Sequence, residues 1–260
     1  MRGGTSIGVR DNEVRGGRLD RPPGKPEPQL PAVPPRRTAP LRRAVGIVLL
    51  LPAILIVLTL TLALVYSAVM PPSTLMLGRW LTLQPVDRQA VPLSRIAPAL
   101  PLAVLTSEDQ RFCLDHGVDF GALREAVEDE DSPSRGASTI AMQTVKNVFL
   151  WPGRSYIRKA VEIPLALALD TLWGKRRMME IYLNVAEWGD GIYGAQAASR
   201  HWFGKDASAL TRSEAALLAA VLPNPILRSA GRPSPGVRRR AARIQGLMGR
   251  TESLAACIGR

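Results

Sequence analysis

The sequence predicts a mainly α-helical domain preceded by a single transmembrane helix. From Pro98 onward, apolar residues recur at helical spacing, and few segments alternate between polar and apolar residues as strands do. Upstream, residues 44–70 contain no charged side chain, and a helix of that length crosses a hydrocarbon core of about 30 Å. The chain of 260 residues allows one or two domains, and its apolar content of 46% is typical of a folded protein.

Residues 1–43 are predicted to be a disordered, basic cytoplasmic tail. They are rich in proline and arginine, a composition that buries too little apolar surface to fold. Because basic tails stay in the cytoplasm, residues after Met70 are expected on the outer side of the membrane. A cleaved signal peptide is the alternative, but the apolar run is longer than such peptides carry and starts far from the N-terminus. Residues 71–97 are then a membrane-proximal linker, 98–250 the folded domain and 251–260 a C-terminal tail.

Helical periodicity and capping residues predict the helices of the folded domain. They are expected at residues 100–116, 120–128, 138–149, 156–173, 176–187, 194–203, 213–221 and 235–248. Ser138 and Ser213 are predicted N-caps, and Gly189 with Gly191 is predicted to end the fifth helix. Pro164 predicts a kink or break in the fourth helix.

Charge and cysteine content limit the partners and the compartment. A net charge of +12 could indicate nucleic-acid binding, but a domain outside the cytoplasm seldom meets nucleic acid. Anionic lipid headgroups and pyrophosphates are the expected partners. Both cysteines, Cys113 and Cys257, fall in the exported part, where one disulfide is permitted. Sequence does not fix their separation, and we expect Cys113 to be a free, buried thiol.

Glu108 is the first candidate for proton transfer. Leu105 and Phe112 flank it at helical spacing, so its carboxylate is expected beside an apolar surface that raises its pKa. The alternative is an exposed helix glutamate without a chemical role, and by itself Glu108 is a weak candidate.

Glu162 is the second candidate, and a series of cations precedes it. Arg158 and Lys159 lie four and three residues before it, which by spacing alone indicates an ordinary surface ion-pair ladder. The wider group combines four cations with polar side chains: Lys146, Arg154, Arg158 and Lys159 with Ser138 and Gln143. Such a cluster fits a diphosphate and would stabilise a pyrophosphate leaving group.

Other kinds of site have little support. The two histidines, His116 and His201, lack partners at ligand spacing, which argues against a histidine-based metal site and a Ser-His-Asp triad. The segment 136–138 does not match a nucleotide-binding phosphate loop. A lipid-linked sugar donor therefore fits the membrane anchor better than a nucleotide sugar.

Five ordered motifs resemble the peptidoglycan glycosyltransferases, in particular their monofunctional branch in bacterial inner membranes. The first motif comprises residues 108–112 and 116–119, and the second comprises residues 135–140, Gln143 and residues 146–147. The third is residues 158–162, the fourth comprises residues 175–184 and 187–189, and the fifth is residues 210–225. Residues 149–155 resemble the single-domain branch, and the resemblance covers roughly residues 75–250.

This resemblance implies a lysozyme-like, two-lobed helical domain that polymerises lipid II into β-1,4-linked glycan strands with release of undecaprenyl pyrophosphate. Glu108 would be the general base and Glu162 would assist departure of the pyrophosphate. Donor sugar and phosphates would contact Ser138, Gln143, Lys146, Asn147, Arg154, Arg158 and Lys159. It implies no tightly bound cofactor, with Mg²⁺ or Mn²⁺ as a candidate divalent cation. Expected partners are lipid II, the growing glycan and membrane lipids, with cell-wall synthesis or division proteins as candidates and nucleic acid excluded.

Two departures and two rival functions remain at this point. Ala141 and Met142 stand where the family often has a hydroxyl residue and glutamine, and Asp170 where glutamate is usual. One rival is a lytic enzyme that cleaves peptidoglycan with a single acid, which would not need the cationic series. The other is a non-enzymatic membrane scaffold, for which Glu108 would be dispensable.

Overall fold

The computed structural model describes residue 24 and residues 39–128, 138–153 and 155–259. Most of the predicted tail and Arg154 therefore lie outside the described residues. The chain divides into two compact units, residues 1–49 and 50–260. In the first unit the structure describes Gly24 and the start of helix α1 (Ala39–Tyr66). Among the described residues, no helix has the combination of length and apolar character that crossing a membrane requires.

Helices dominate the described part of the chain, so the mainly α-helical prediction is confirmed. After α1 they are α2 (Thr74–Leu81), α3 (Ala99–Glu108), α4 (Phe120–Glu128), α5 (Ile140–Phe149), α6 (Tyr156–Val185), α7 (Ala195–Phe203), α8 (Arg212–Val221) and α9 (Pro235–Glu252). Short 3₁₀ helices occur at Leu93–Arg95, Ala207–Ala209 and Ala256–Ile258.

The core is built from two groups of packed helices. Helix α5 packs along α6, while α3 packs against both α8 and α9, which also pack on each other. Helix α3 is buried over most of its length, and the alanine-rich α8 lets its neighbours approach closely. The C-terminal end of α3 lies near the start of α5, because Asp109 accepts a hydrogen bond from the Ile140 backbone N–H.

A small sheet was not predicted. Strand β3 (Ile192–Tyr193) lies in the middle, parallel to β1 (Asp87–Arg88) and antiparallel to β2 (Glu187–Gly189). Strands of two or three residues are too short to show the alternation that identifies them in a sequence. Gly189 and Gly191 therefore belong to this hairpin and do not end a helix. At Gly191, φ is +72° and an added Cβ would lie 2.9 Å from the Pro85 carbonyl oxygen, so the turn requires glycine.

One predicted helix end and one predicted kink are wrong. The helix expected at residues 100–116 ends at Glu108, because Asp109 has extended φ of −159° and turns the chain toward α5. The kink expected at Pro164 is absent, since the backbone of α6 stays helical there. The predicted division between residues 156–173 and 176–187 is confirmed, because α6 is interrupted at Gly174, with φ of +67° and ψ of +166°.

Both predicted N-caps are also displaced. Thr139 caps α5 by accepting the Met142 N–H, one residue after the expected Ser138. Thr211 caps α8 in a capping box with Glu214, two residues before the expected Ser213. A threonine hydroxyl serves this purpose as a serine does, and sequence spacing alone did not separate the neighbouring hydroxyls.

The expectation of a free thiol at Cys113 is wrong. Cys113 and Cys257 form a disulfide, with their Cα atoms 5.6 Å apart. The bond joins the segment that follows Glu108 to the last 3₁₀ helix. Folding brings together residues separated by 144 positions, a proximity that the sequence did not reveal.

The C-terminal end of α1 is attached to α6. The Trp173 indole N–H donates to the Ala63 carbonyl oxygen at 2.8 Å, and the Arg177 guanidinium donates to the Tyr66 and Val69 carbonyls. The Phe149 ring lies between those of Tyr66 and Trp173, with centroid separations of 5.9 and 6.2 Å. Since Arg177 and Trp173 satisfy carbonyls at a helix end, this contact is specific as well as apolar.

Candidate active site

Glu108 is the last residue of α3, and its carboxylate is held from two sides. Oε1 accepts a hydrogen bond from Ser107 Oγ at 2.7 Å and lies 3.6 Å from Nη2 of Arg240 on α9. Oε2 accepts from the Gln143 side-chain amide on α5 at 3.3 Å. The side chain is 13% exposed. The prediction that the Glu108 carboxylate lies beside an apolar surface is therefore wrong in part, because the carboxylate contacts a hydroxyl, an amide and a guanidinium group.

Gln143 is oriented by a buried tyrosine that sequence reasoning missed. Tyr182 Oη donates to Gln143 Oε1 at 3.2 Å, which turns the amide nitrogen toward Glu108. Burial, and then the negative charges of Glu108 and Asp109, raise the pKa of Tyr182 well above its usual value. The phenol thus stays protonated and remains a hydrogen-bond donor.

Asp109, the residue after Glu108, links α3 to α5. Its Oδ2 accepts the Ile140 backbone N–H at 3.0 Å, at the first turn of α5. Burial raises the pKa of Asp109 to about 6, an effect that the Ile140 N–H and the Lys175 charge oppose. This contact fixes the distance between Glu108 and the polar side chains of α5.

Glu162 is buried. The interpretation that its spacing from Arg158 and Lys159 indicates an ordinary surface ion-pair ladder is therefore wrong. The residue is 1% exposed. Its Oε1 lies 3.3 Å from Lys159 Nζ and 3.5 Å from Ser138 Oγ. Its Oε2 is buried and has no hydrogen-bond partner within the described part of the chain. A buried carboxylate oxygen without a donor is costly, and a substrate or ion that coordinates it would remove that cost.

Lys146 is near enough to both acids for their charges to affect its pKa. It is on α5, one turn after Gln143, and burial lowers its pKa. The charges of Glu162 and, more weakly, Glu108 oppose this shift, whereas those of Arg158 and Lys159 add to it. The pKa of this one half-buried ammonium group therefore depends on both carboxylates and on two other cations.

The remaining predicted residues differ in how closely they approach this centre. Arg158, on the first turns of α6, has a buried Nε without a hydrogen-bond partner among the residues described. Asn147 follows Lys146 on α5, and its carbonyl oxygen accepts from Thr74 Oγ1 at 3.2 Å. Arg154 lies outside the described residues. The structure thus brings Glu108, Glu162 and their neighbours on α5 and α6 into one site.

The residues at the two departures from the family pattern are buried. Ala141 and Met142 are fully buried, and the Met142 sulfur lies 3.9 Å from Lys159 Nζ. Asp170 is paired at 2.8 Å with Lys175, whose ammonium group also lies over the Phe112 ring.

Divalent-cation binding by protein side chains alone is not indicated. Over the described ranges, no group of three His, Cys, Asp or Glu side chains could hold a metal ion. Mg²⁺ in phosphate-handling proteins is often held by one or two carboxylates together with substrate phosphates, and the unpartnered Oε2 of Glu162 fits that pattern.

Comparisons with known proteins give matches over most of the chain. Residues 76–249 match the family model described as Transglycosylase. The chain is similar to the biosynthetic peptidoglycan transglycosylase of Rhizobium meliloti (strain 1021), with 55% identity over 190 residues, which covers 72% of this chain and 80% of that protein. The protein of the same name from Rhodopseudomonas palustris (strain TIE-1) is 50% identical over 77% of this chain and 86% of its own. That of Brucella suis biovar 1 (strain 1330) is 47% identical over 82% and 97%.

Proposed function

Because the chain belongs to the transglycosylase family and is a peptidoglycan glycosyltransferase, we propose that Glu108 and Glu162 have separate roles in the polymerisation of lipid II. Glu108 acts on the acceptor sugar, and Glu162 acts beside the pyrophosphate. The product is a β-1,4-linked glycan strand of the bacterial cell wall, and undecaprenyl pyrophosphate is released. The observation that carries these separate roles is that Gln143 on α5 donates to Glu108, whereas Lys159 and Ser138 approach Glu162.

Glu108 acts as the general base. Its carboxylate takes the proton from the 4-hydroxyl of the acceptor N-acetylglucosamine as that oxygen attacks the anomeric carbon of the growing chain. The bond from that carbon to the pyrophosphate oxygen breaks at the same centre, with inversion. Gln143, held by Tyr182, keeps the carboxylate oriented toward the acceptor.

Lys146, Arg158 and Lys159 stabilise the departing pyrophosphate. Cations held in a partly buried site stabilise developing charge more strongly than cations in water do. Glu162 keeps the Lys159 ammonium group in position at 3.3 Å. Ser138, Asn147 and Arg154 complete the proposed contacts to donor sugar and phosphates. Mg²⁺ or Mn²⁺, bound by Glu162 and the phosphates, would supply additional charge neutralisation.

Residues 44–70 are proposed to anchor the enzyme beside its lipid substrate in the bacterial inner membrane. Support comes from the absence of charge in this run and from the exposed leucine and isoleucine side chains of α1 between Leu50 and Leu64. The tail would be cytoplasmic and the catalytic domain periplasmic. A lysozyme-like cleft between two lobes is part of the same proposal, and it is supported by the contacts of Glu108 with Gln143 on α5 and with Arg240 on α9.

Gel-resolved polymerisation of labelled lipid II by the detergent-solubilised full chain tests this function. Wild-type protein and a Glu252→Gln control should both yield long glycan that lysozyme digests, and Glu108→Gln should yield none. Glu252 is a suitable control because it is an exposed helix glutamate on α9. Cleavage of preformed glycan without polymerisation would instead support a lytic enzyme.

A further inference from the structure

An arginine-lined cleft lies next to Ser107, the residue before Glu108, and the mechanism above does not use it. Its volume is about 780 Å³. Helix α9 supplies Arg239, Arg240 and Arg243, and the lining is completed by Thr106, Ser107, Gln110, Ile244 and Leu247. We refer to it as the α9 cleft. It combines a concave shape with three positive charges within little more than one helical turn.

The α9 cleft adjoins the carboxylate of Glu108 through two of its lining residues. Ser107 and Arg240 line it, and these are the residues that contact Oε1 of Glu108, at 2.7 and 3.6 Å. The amide of Gln143 approaches the other oxygen, Oε2, from α5. A substrate group in the α9 cleft would therefore lie beside Glu108 but away from the cations proposed to hold the pyrophosphate.

The cleft presents positive charge that is not neutralised by acidic side chains within the described ranges, although Arg239 and Arg243 are exposed to solvent. Across the described residues, no carboxylate lies within ion-pair distance of Arg239 or Arg243, while Arg240 has only the contact at 3.6 Å to Glu108. The sole acidic residue of α9, Glu252, is at its end and pairs with Arg212. Guanidinium groups present a planar set of donors that matches a carboxylate or a phosphate in two-point contact.

Position decides between these two anions. Both pyrophosphates of the reaction are attached to lipid and must stay near the membrane anchor. The end of α1 is attached to α6 through Trp173 and Arg177, whereas α9 packs against α3 and α8. The peptide stem is attached to the sugar itself and ends in a carboxylate, so it can extend to α9 while the phosphates stay beside α5 and α6.

We propose that Arg239, Arg240 and Arg243 bind the carboxylates of the peptide stem of the sugar substrate and thereby position that sugar beside Glu108. This inference rests on the proposed function, because it assigns part of the same substrate to a second region of the site. The arginines contribute to substrate binding, and the bond-making chemistry stays with Glu108.

The proposal is tested by changing the carboxylates of the substrate and, separately, the arginines of the enzyme. The KM for polymerisation is measured with lipid II whose stem carboxylates are free and with lipid II whose stem carboxylates are converted to carboxamides. The enzymes are wild type, the double variant Arg239→Gln/Arg243→Gln, a charge-retaining Arg239→Lys/Arg243→Lys variant, and Arg238→Ala. Arg238 is a matched control because it is an exposed arginine of α9 outside the cleft.

With the acidic substrate, the glutamine double variant should raise KM on the order of tenfold with little change in kcat, since charge-assisted contacts are lost. With the carboxamide substrate, wild type and the glutamine variant should have the same KM. With the acidic substrate, the lysine variant should recover part of the affinity that the glutamine variant loses. An equal increase of KM for both substrates would overturn the peptide assignment and indicate phosphate or sugar contacts. Failure of wild type to polymerise either substrate would contradict the proposed function itself.

Discussion

The Tyr182 phenol lies 3.2 Å from Oε1 of Gln143 and fixes which end of that amide faces Glu108. With the carbonyl oxygen engaged, the nitrogen is directed at the carboxylate, 3.3 Å away. An amide released from this contact could present either end, and its oxygen would repel the carboxylate. Tyr182 is thus a positioning residue for the proposed base, although it makes no contact with Glu108 itself.

Replacement of Tyr182 by phenylalanine should lower kcat for lipid II polymerisation by roughly tenfold, because a lost buried hydrogen bond is worth about 1–3 kcal/mol. KM should change little, since the ring remains and no substrate contact is removed. Tyr156→Phe is the control, as Tyr156 is 97% exposed. If Tyr182→Phe had wild-type kcat with the same thermal stability, the proposed positioning role would be wrong.

Asp109 predicts a pH-dependent difference in stability. Burial raises its pKa from 3.8 to about 6 in the folded protein, so the folded state binds this proton more strongly than the unfolded state does. Its ionisation therefore destabilises the fold progressively as pH rises through about 4 to 6, by roughly 3 kcal/mol at most. Asp109→Asn keeps an acceptor for the Ile140 N–H and removes this cost.

Urea unfolding at several pH values measures that difference. Asp109→Asn should match wild type near pH 4 and exceed it in stability above pH 6. Asp206→Asn provides a control of opposite sign, because Arg200 and then Gln196 lower the pKa of Asp206. That variant should gain no stability at neutral pH. A constant difference between Asp109→Asn and wild type from pH 4 to 7 would contradict the assignment.

The disulfide predicts that stability depends on redox conditions. Joining Cys113 to Cys257 restricts the unfolded chain over a separation of 144 residues. Loss of a native disulfide typically costs about 2–5 kcal/mol. The double variant Cys113→Ser/Cys257→Ser should therefore unfold at lower urea concentration than wild type. In reductant, wild type should unfold at a urea concentration close to that of the variant, whereas reductant should not change the unfolding of the variant. If reductant left the unfolding of wild type unchanged, the result would argue against the disulfide.

The sequence was sufficient to predict the helical class and to select Glu108 and Glu162 as candidates, but it did not reveal the surroundings of these two acids. Glu108, Glu162, Gln143 and Lys146 lie in motifs with recognisable order, and long amphipathic helices have a clear period. The roles of Tyr182 and the arginines of the α9 cleft depend on contacts between distant segments. Tyr182 lies 39 residues from Gln143, and no local pattern encodes such a distance.

Glu162 should also set the alkaline limit of activity through Lys146. Burial lowers the pKa of Lys146, and the charge of Glu162 is the largest influence that raises it. Glu162→Gln removes that charge, so the pKa of Lys146 falls further and its ammonium group is lost at lower pH. The alkaline limb of the pH profile of kcat/KM should therefore move to lower pH, together with a loss of kcat.

Glu252→Gln, which changes an exposed carboxylate on α9, should leave the alkaline limb in place. If Glu162→Gln lowered kcat at every pH without moving the limb, the link to Lys146 would be refuted.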